Sequence, residues 1–505
     1  MSFLCNNFAA VVVAAVSMTI VWMFGGTRGE LLLPVVPWLF LFLCEVLICF
    51  PMRREEESTY DARHRVWKNL KHDPFFWTAL GFLALLAVPF LNYGLCLNCD
   101  AKLIAQGVPA EPPVPVIPFC VDRLDHLNVF LWFVTALPTA VVVRHSLNGR
   151  GKRLLLEILV WNGALLALFG FVQGALSAPG PFWNTQAGNH IAKPGDFFSV
   201  FGYPNMGGDY FTVLFCVAAA LWRWRVDEIK TEERAKDISK IAEPEHGRFW
   251  RKHYHLIPAA LCFFAALNTL SRAAIILVTL SAAVVFAHSF FSFLAHHSKA
   301  DKVRKGVWWA LAFSLVVFAA AIFMPEDLQR EVDTLGTSEV LDRVSGRGQY
   351  HARVATELWK DHKLFGCGGW GYIHFCASKM TKKELKQMQM VGGANVHNDH
   401  LQFLAEHGLV GFGLLVVMVL LLLAPLMGRW RHLAKEAQFI TDKKRRPPSP
   451  VQLFALPGSA FFLVIAVLCT FVHAFGDCPL RSPAVLTLYF TIFAALPGFF
   501  FPKGH

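Results

Sequence analysis

Long apolar runs alternate with shorter polar segments along the whole chain. They are Phe8–Phe24, Leu31–Pro51, Phe75–Leu97, His126–Val143, Leu154–Leu176, Tyr210–Trp222 (extended back toward Tyr203), Tyr254–Leu270, Ala273–Phe293, Val307–Met324, Leu409–Met427, Val451–His473 and Ala484–Phe500. Most run to roughly 17–23 residues, enough as helix to cross about 30 Å of hydrocarbon. The pattern predicts an all-α, polytopic integral membrane protein with about twelve transmembrane helices. One polar segment is far longer than the rest, Pro325–His407, between the ninth and tenth runs. The chain therefore divides into spans one to nine over 1–324, one large external loop over 325–407, and spans ten to twelve over 408–505. Phe8–Phe24 has no cationic lead and no cleavage site, so it reads as a retained span, not a leader.

Composition agrees with that pattern. Of 505 residues, 55% are apolar and only 16% charged, and the mean hydropathy is +0.44. The net charge of +11 invites a nucleic-acid reading, but its distribution removes it. Of the 47 Lys and Arg, 31 fall on alternate loops such as Met52–Pro74, Arg144–Arg153 and Arg223–His253, six on the short loops opposite, and ten in Pro325–His407. Basic residues mark the cytoplasmic side, while long external segments translocate largely regardless of charge. Both termini are therefore expected inside, with membrane lipids rather than nucleic acid as partners. Cys96, Cys99, Cys120, Cys367, Cys376 and Cys478 fall on the outer side, where disulfides form only in an oxidising compartment; spacing does not give their pairing.

The polar chemistry gathers at the outer surface. Val391–Gly411, VGGANVHNDHLQFLAEHGLVG, packs His397, Asn398, Asp399, His400, Glu406 and His407 into eleven residues, just before the apolar run at Leu409. It reads as a loop entering a short helix that meets the membrane. Imidazole is the usual general base near neutral pH, which makes His397 the candidate. A metal site is the alternative, but no HExxH-like spacing supports it, and neither metal nor cofactor is expected. Asn398 or Asp399 also suits a helix cap, and Glu406 and His407 suit structural roles. Arg272, after Ser271 between two apolar runs, either reaches an anion or merely ends a helix. SGRGQYHARVATELWKDHKLFGCGGWGY, with Arg343 before it and Arg347 and Arg353 within it, offers further cations, some of them ordinary surface charge. In FGYPNMGGDY, Tyr203 and Asn205 are substrate-contact candidates, and a plain turn into the next span is an equal alternative.

Taken together these residues resemble the O-antigen ligase family, which groups ligases, polymerases and bacterial O-oligosaccharyltransferases. The resemblance rests on the Ser271-Arg272 pair, on HN-x9-G-x-x-G from His397-Asn398 to Gly408 and Gly411, on GYPN, and on the Arg…DHKLFGCGGWGY block. It covers roughly Phe201–Leu420. Lys363 stands where members often carry Pro, and the spacing leaves open which loop arginine corresponds to the family's own. The resemblance implies transfer of a glycan from a polyprenyl-pyrophosphate carrier to an acceptor hydroxyl, without nucleotide sugar or metal, at the outer face of a bacterial inner membrane. The acceptor is most readily lipid A–core; another glycan chain, as in polymerisation, or a protein are alternatives. His397 would then be the base, Arg272 and Arg347 would hold the pyrophosphate, and Asn398, Arg343, Arg353, Asn205, Ser271 and Tyr203 would contact substrate.

A secondary transporter is the competing class, because twelve spans suit it too. It predicts ionisable or helix-breaking residues at mid-membrane and repeated halves. Glu45 and Glu157 are such residues, but no repeat is visible, and the titratable cluster sits at the surface.

Overall fold

A computed structural model of the chain describes residues 2–54, 56–93, 114, 116–184, 197–236, 245–296, 329, 338–391, 395–441 and 456–500. The described residues are helical, with two isolated bridges, Tyr93 to Cys120 and Phe198 to Phe201, and no strand. Two compact units divide the chain. The first comprises Met1–Leu159, Arg343–Ala460 and Thr470–His505; the second comprises Val160–Asp342 and Phe461–Cys469.

In chain order the helices are α1 (Ser2–Trp22), α2 (Gly29–Ile48), α3 (Thr59–Lys71), α4 (Pro74–Ala87), α5 (Arg123–His145), α6 (Gly149–Ala175), α7 (Pro204–Lys236), α8 (Glu245–His253), α9 (Leu256–Asn268), α10 (Arg272–His296), α11 (Ser338–Asp361), α12 (Gly371–Phe375), α13 (Lys382–Val391), α14 (Asp399–Thr441), α15 (Gly458–His473) and α16 (Pro483–Ala495). Their starts are chemically marked. Ser58, Asp73, Asp122 and Ser482 each accept a backbone N–H of the first turn, and Pro74 and Pro483 follow their caps directly. Such caps satisfy amides that a helix start leaves orphaned, and proline there gives up no hydrogen bond.

These helices coincide with eleven of the twelve apolar runs; Val307–Met324 lies outside the described residues. Fewer of them can cross a membrane unaided. Gly29–Ile48, Arg123–His145, Gly149–Ala175, Arg272–Phe291 and Asp399–Gly428 are long and apolar enough, and the pair Thr59–Lys71 and Pro74–Phe90, bent by 66°, makes a sixth if it is one span. Length and dilution account for the difference from twelve. Asn7–Trp22, Gly458–His473 and Pro483–Phe499 are apolar but shorter, α9 has 13 residues, and α7 opens on the polar PNMGGD.

In the first unit α5 packs against α16 and α2, while α4 packs against α14. The start of α4 and the end of α5 are tied by buried Asp73, which accepts from Arg144 Nε and His145 Nε2, both at 2.7 Å. Between α11 and α14 a small core of its own forms from Val354, Leu358, Tyr372, Phe375 and Val396. Within the segment expected as an external loop, the described residues carry α11, α12 and α13. In the second unit α7 packs against α9 and α10.

Candidate active site

The Gly-rich block LFGCGG lies antiparallel along the start of α14 and bonds to it. Cys367 N donates to Ala405 O at 3.0 Å and Gly368 N to Glu406 O at 2.9 Å; Leu409 N and Val410 N donate back to Lys363 O and Leu364 O at 2.8 and 3.0 Å. That contact needs glycine on both sides. A Cβ on Gly366 would stand 2.2 Å from the Glu406 carbonyl carbon, and one on Gly408 would stand 2.3 Å from Leu364 O. Both glycines have positive φ, +72° and +63°, which other residues adopt only at a cost. Gly408 therefore breaks α14 into two stretches. The first runs back to the His397 loop and the second runs on as the apolar helix.

His397 is pinned just before α14. Its φ is +53°, an uncommon value for a side-chain-bearing residue and a form of local strain that surroundings must hold. They do so from both sides. Upstream, buried Gln402 Oε1 accepts from Val396 N at 3.0 Å. Downstream, Asn398 Oδ1 caps α14 by accepting from Leu401 N at 3.0 Å, and Asp399 N donates to Ala474 O at 2.8 Å. The imidazole is then fixed by its Nδ1, 3.3 Å from Asp477 Oδ1. Its side chain is 41% exposed against 8% for that of Asp477. Burial alone would raise the Asp477 carboxyl. The His397 bond and charge, the nearby His473 and the Cys478 amide outweigh it and hold the group below its ordinary value. An ionised carboxylate only accepts, so it selects the tautomer with the proton on Nδ1 and leaves Nε2 as the acceptor.

Asp477 is itself held by a buried charge cluster. Arg481 donates from Nη2 to Glu406 at 2.7 Å and lies 3.6 Å from Asp399 through Nε. Its guanidinium covers the Trp370 ring at 4.7 Å, and Leu480 N donates to Asp399 Oδ2 at 2.8 Å. The turn Asp477–Ser482 is thereby locked to the first stretch of α14. On the other side of His397, the His351 ring stands 6.1 Å away and its Nδ1 lies 2.7 Å from the buried Tyr372 hydroxyl.

In the second unit Ser271 starts α10, its Oγ accepting from Ala274 N at 3.3 Å, and Arg272 is the first residue of that helix. The preceding Leu270 has φ +56°. Gly208 of α7 packs into this turn so closely that a Cβ there would lie 2.5 Å from Ala274 Cβ and 3.1 Å from Ser271 Cβ. The GYPNMGG and SR motifs are therefore neighbours. Asn205 donates to the Tyr203 hydroxyl at 3.2 Å.

The other candidates fall as follows. Arg353 is held at the surface by Glu357 at 2.8 Å, Glu384 at 2.9 Å and Lys379 O. Arg343 and Arg347 lie on α11, and their side chains lie outside the described residues. His400 faces Phe471 O, Glu406 takes Arg481 and Gln402, and His407 is buried against the rings of Phe82, Phe133 and Phe403. Asp477, Arg481, His351 and Tyr372 were not singled out from the sequence. The first two stand in HAFGDCPLRSPAV, two charges in a short hairpin between apolar runs, and that oddity is the signal that marks them. Cys120, Cys367, Cys376 and Cys478 are in no disulfide, and Cys96 and Cys99 lie outside the described residues.

No curated protein matches the chain. Residues 257–416, about a third of the sequence, match the family model of O-antigen ligase. The matched stretch takes in the SR turn, the Gly-rich block and the HN-x9-G-x-x-G motif. Over residues 257–416 the chain is thus similar to the O-antigen ligase family.

Proposed function

We propose that this protein moves a glycan from a polyprenyl-pyrophosphate carrier to an acceptor hydroxyl, most readily ligating O-antigen to lipid A–core. The reaction is a single inverting displacement without metal or cofactor. The acceptor oxygen forms a bond to the anomeric carbon as the bond from that carbon to the pyrophosphate oxygen breaks. The hydroxyl proton passes to His397 Nε2, and the pyrophosphate leaves with the bonding pair. A sugar hydroxyl is a weak nucleophile and gains from a base, whereas pyrophosphate leaves well without an acid. Arg272 and Arg347 are assigned to the charge that develops on the leaving group, by charge-assisted contacts. Tyr203, Asn205, Ser271, Asn398 and the loop arginines Arg343 and Arg353 are assigned to substrate. The segment 325–407 faces the outside of a bacterial inner membrane, with both termini in the cytoplasm.

The observation that carries this reading is the His397–Asp477 pair. A buried carboxylate fixes one nitrogen of a part-exposed imidazole that begins the motif, which is how a general base is oriented. The test is transfer in proteoliposomes from a purified polyprenyl-pyrophosphate oligosaccharide, with lipid A–core, further donor or peptide as acceptor. Product on lipid A–core alone, lost in His397→Ala and Arg272→Ala and unchanged by EDTA, is expected. Product on further donor or on peptide instead would make the protein a polymerase or a protein glycosyltransferase. Full activity of His397→Ala would remove the base.

A further inference from the structure

Cys478 has no part in the transfer above, yet its thiol sits against the two groups that do. Its Sγ donates to Asp477 Oδ1 at 3.3 Å, and that same oxygen lies 3.3 Å from His397 Nδ1. All three donor atoms fall within 4.8 Å of one another. Cys478 is 1% exposed and Asp477 6%, while the imidazole opens outward, so the triad has a closed floor and one accessible wall.

Imidazole nitrogen, carboxylate oxygen and thiol sulfur form a donor set that suits zinc. Around a tetrahedral Zn2+ with bonds of about 2.0–2.3 Å, such donors stand roughly 3.4–3.6 Å apart. Two of the three separations here already lie a few tenths of an ångström from that value. We propose that His397, Asp477 and Cys478 form an inhibitory site for Zn2+ or another soft divalent cation such as Cd2+. The thiol proton leaves to solvent as sulfur binds. The imidazole proton moves from Nδ1 to Nε2 as Nδ1 becomes a ligand, so the nitrogen that should accept the substrate proton now carries one. Metal binding stands on the geometry alone, whereas its inhibitory effect rests on His397 being the base.

The experiment is a Co2+ titration of the detergent-purified full chain, read by absorption, with Zn2+ as competitor. One cobalt per chain with a thiolate-to-metal charge-transfer band is expected in wild type and in the control Cys376→Ser. Zn2+ should erase that band. Cys478→Ser should lack it, and Asp477→Asn and His397→Gln should each weaken binding by about tenfold or more. No thiolate band in wild type, or a band that survives in Cys478→Ser, overturns the site. His397→Gln lies at the exposed end of the triad and keeps the test decisive should Cys478→Ser fail to fold. In proteoliposomes Zn2+ should stop transfer and EDTA restore it, with Cys478→Ser needing about tenfold more Zn2+ for the same loss. A wild-type band together with transfer unaffected by bound metal would keep the site and overturn the role of His397.

Discussion

Asp477→Asn is the most direct probe of how the site works, because it changes one atom's chemistry and almost no volume. In the wild type, Asp477 Oδ1 stands 3.3 Å from His397 Nδ1 and also accepts Cys478 N at 2.8 Å. Both contacts fall on the same oxygen, so an asparagine that keeps its carbonyl there for the Cys478 amide still accepts from Nδ1 and loses only the negative charge. That charge is what stabilises the imidazolium formed as His397 takes the acceptor proton. The loss should be a substantial part of the value of general-base catalysis, about 10²–10⁴ in turnover, or about 2.7–5.4 kcal/mol of barrier. The assay is turnover in proteoliposomes at saturating donor and acceptor, for Asp477→Asn, His397→Ala and the double variant. KM for the donor should change little, since Asp477 has no substrate contact in this scheme. The double variant should be no slower than His397→Ala, because two residues acting as one unit do not lose twice. Turnover above about a third of wild type in Asp477→Asn, against that general-base value, would refute the role of the carboxylate charge. So would fully additive losses in the double variant.

Four further outcomes follow from the same geometry. Arg481→Ala leaves Glu406 and Asp399 buried without their cation and should destabilise the protein by about 3–5 kcal/mol in thermal or denaturant unfolding, with Arg481→Met plus Glu406→Gln recovering part of it. Gly408→Ala forces a methyl against Leu364 O at a positive φ and should cost about 2 kcal/mol or more in the same measurement, whereas Gly413→Ala, with open space around it, should cost nothing. Arg353→Ala removes exposed ion pairs worth about 0–1 kcal/mol and should leave thermal unfolding nearly unchanged, so that a loss of transfer in this variant reports the substrate contact assigned to it. The depressed Asp477 carboxyl contributes stability that is fully present above the ordinary carboxylate value of about 3.9 and lost as pH falls through its folded value. The melting difference between wild type and Asp477→Asn should therefore shrink as pH is taken from 7 to below about 4.

The features legible in the sequence were those that act locally. Apolar length gave eleven of the helices, and the reading of Asn398 as a helix cap matches its bond from Leu401 N. The placing of His397 in a loop before α14 followed from the polar cluster that precedes the apolar run at Leu409. What stayed hidden depends on contacts across long stretches of chain. Asp477 lies eighty positions from His397, and Arg481 lies 75 from Glu406. No periodicity reports such a pair. The structural partners of Asn398 and Arg353 illustrate the converse difficulty. Composition shows a donor or a charge but not its partner, and here Leu401 N occupies the Asn398 oxygen while Glu357 and Glu384 occupy Arg353. The span count diverged because an apolar run does not give the length of its helix: Asn7–Trp22, Gly458–His473 and Pro483–Phe499 are shorter than a full span, and α9 has 13 residues.

The spacing HN-x9-G-x-x-G acquires a mechanical meaning from these contacts. Gly408 is the fixed point, packed against Leu364 and Phe365 with no room for a Cβ and followed by the Leu409 and Val410 amides that bond Lys363 and Leu364, and the nine residues before it form the first stretch of α14. Nine residues of helix rise about 13.5 Å and turn through two and a half revolutions, which sets the height and direction at which the His397 loop emerges. That direction points the loop at Asp477, which is held by Asp399 and Glu406 on the same stretch through Leu480 and Arg481. One residue more or fewer would rotate the loop by about 100° about the helix axis while Gly408 stayed in place. The carboxylates holding the Asp477 turn would then point away from it, and the base would lose both its partner and its strained, exposed conformation. The glycines of the motif need no contact with substrate to matter. They fix one end of a short ruler whose other end is the imidazole.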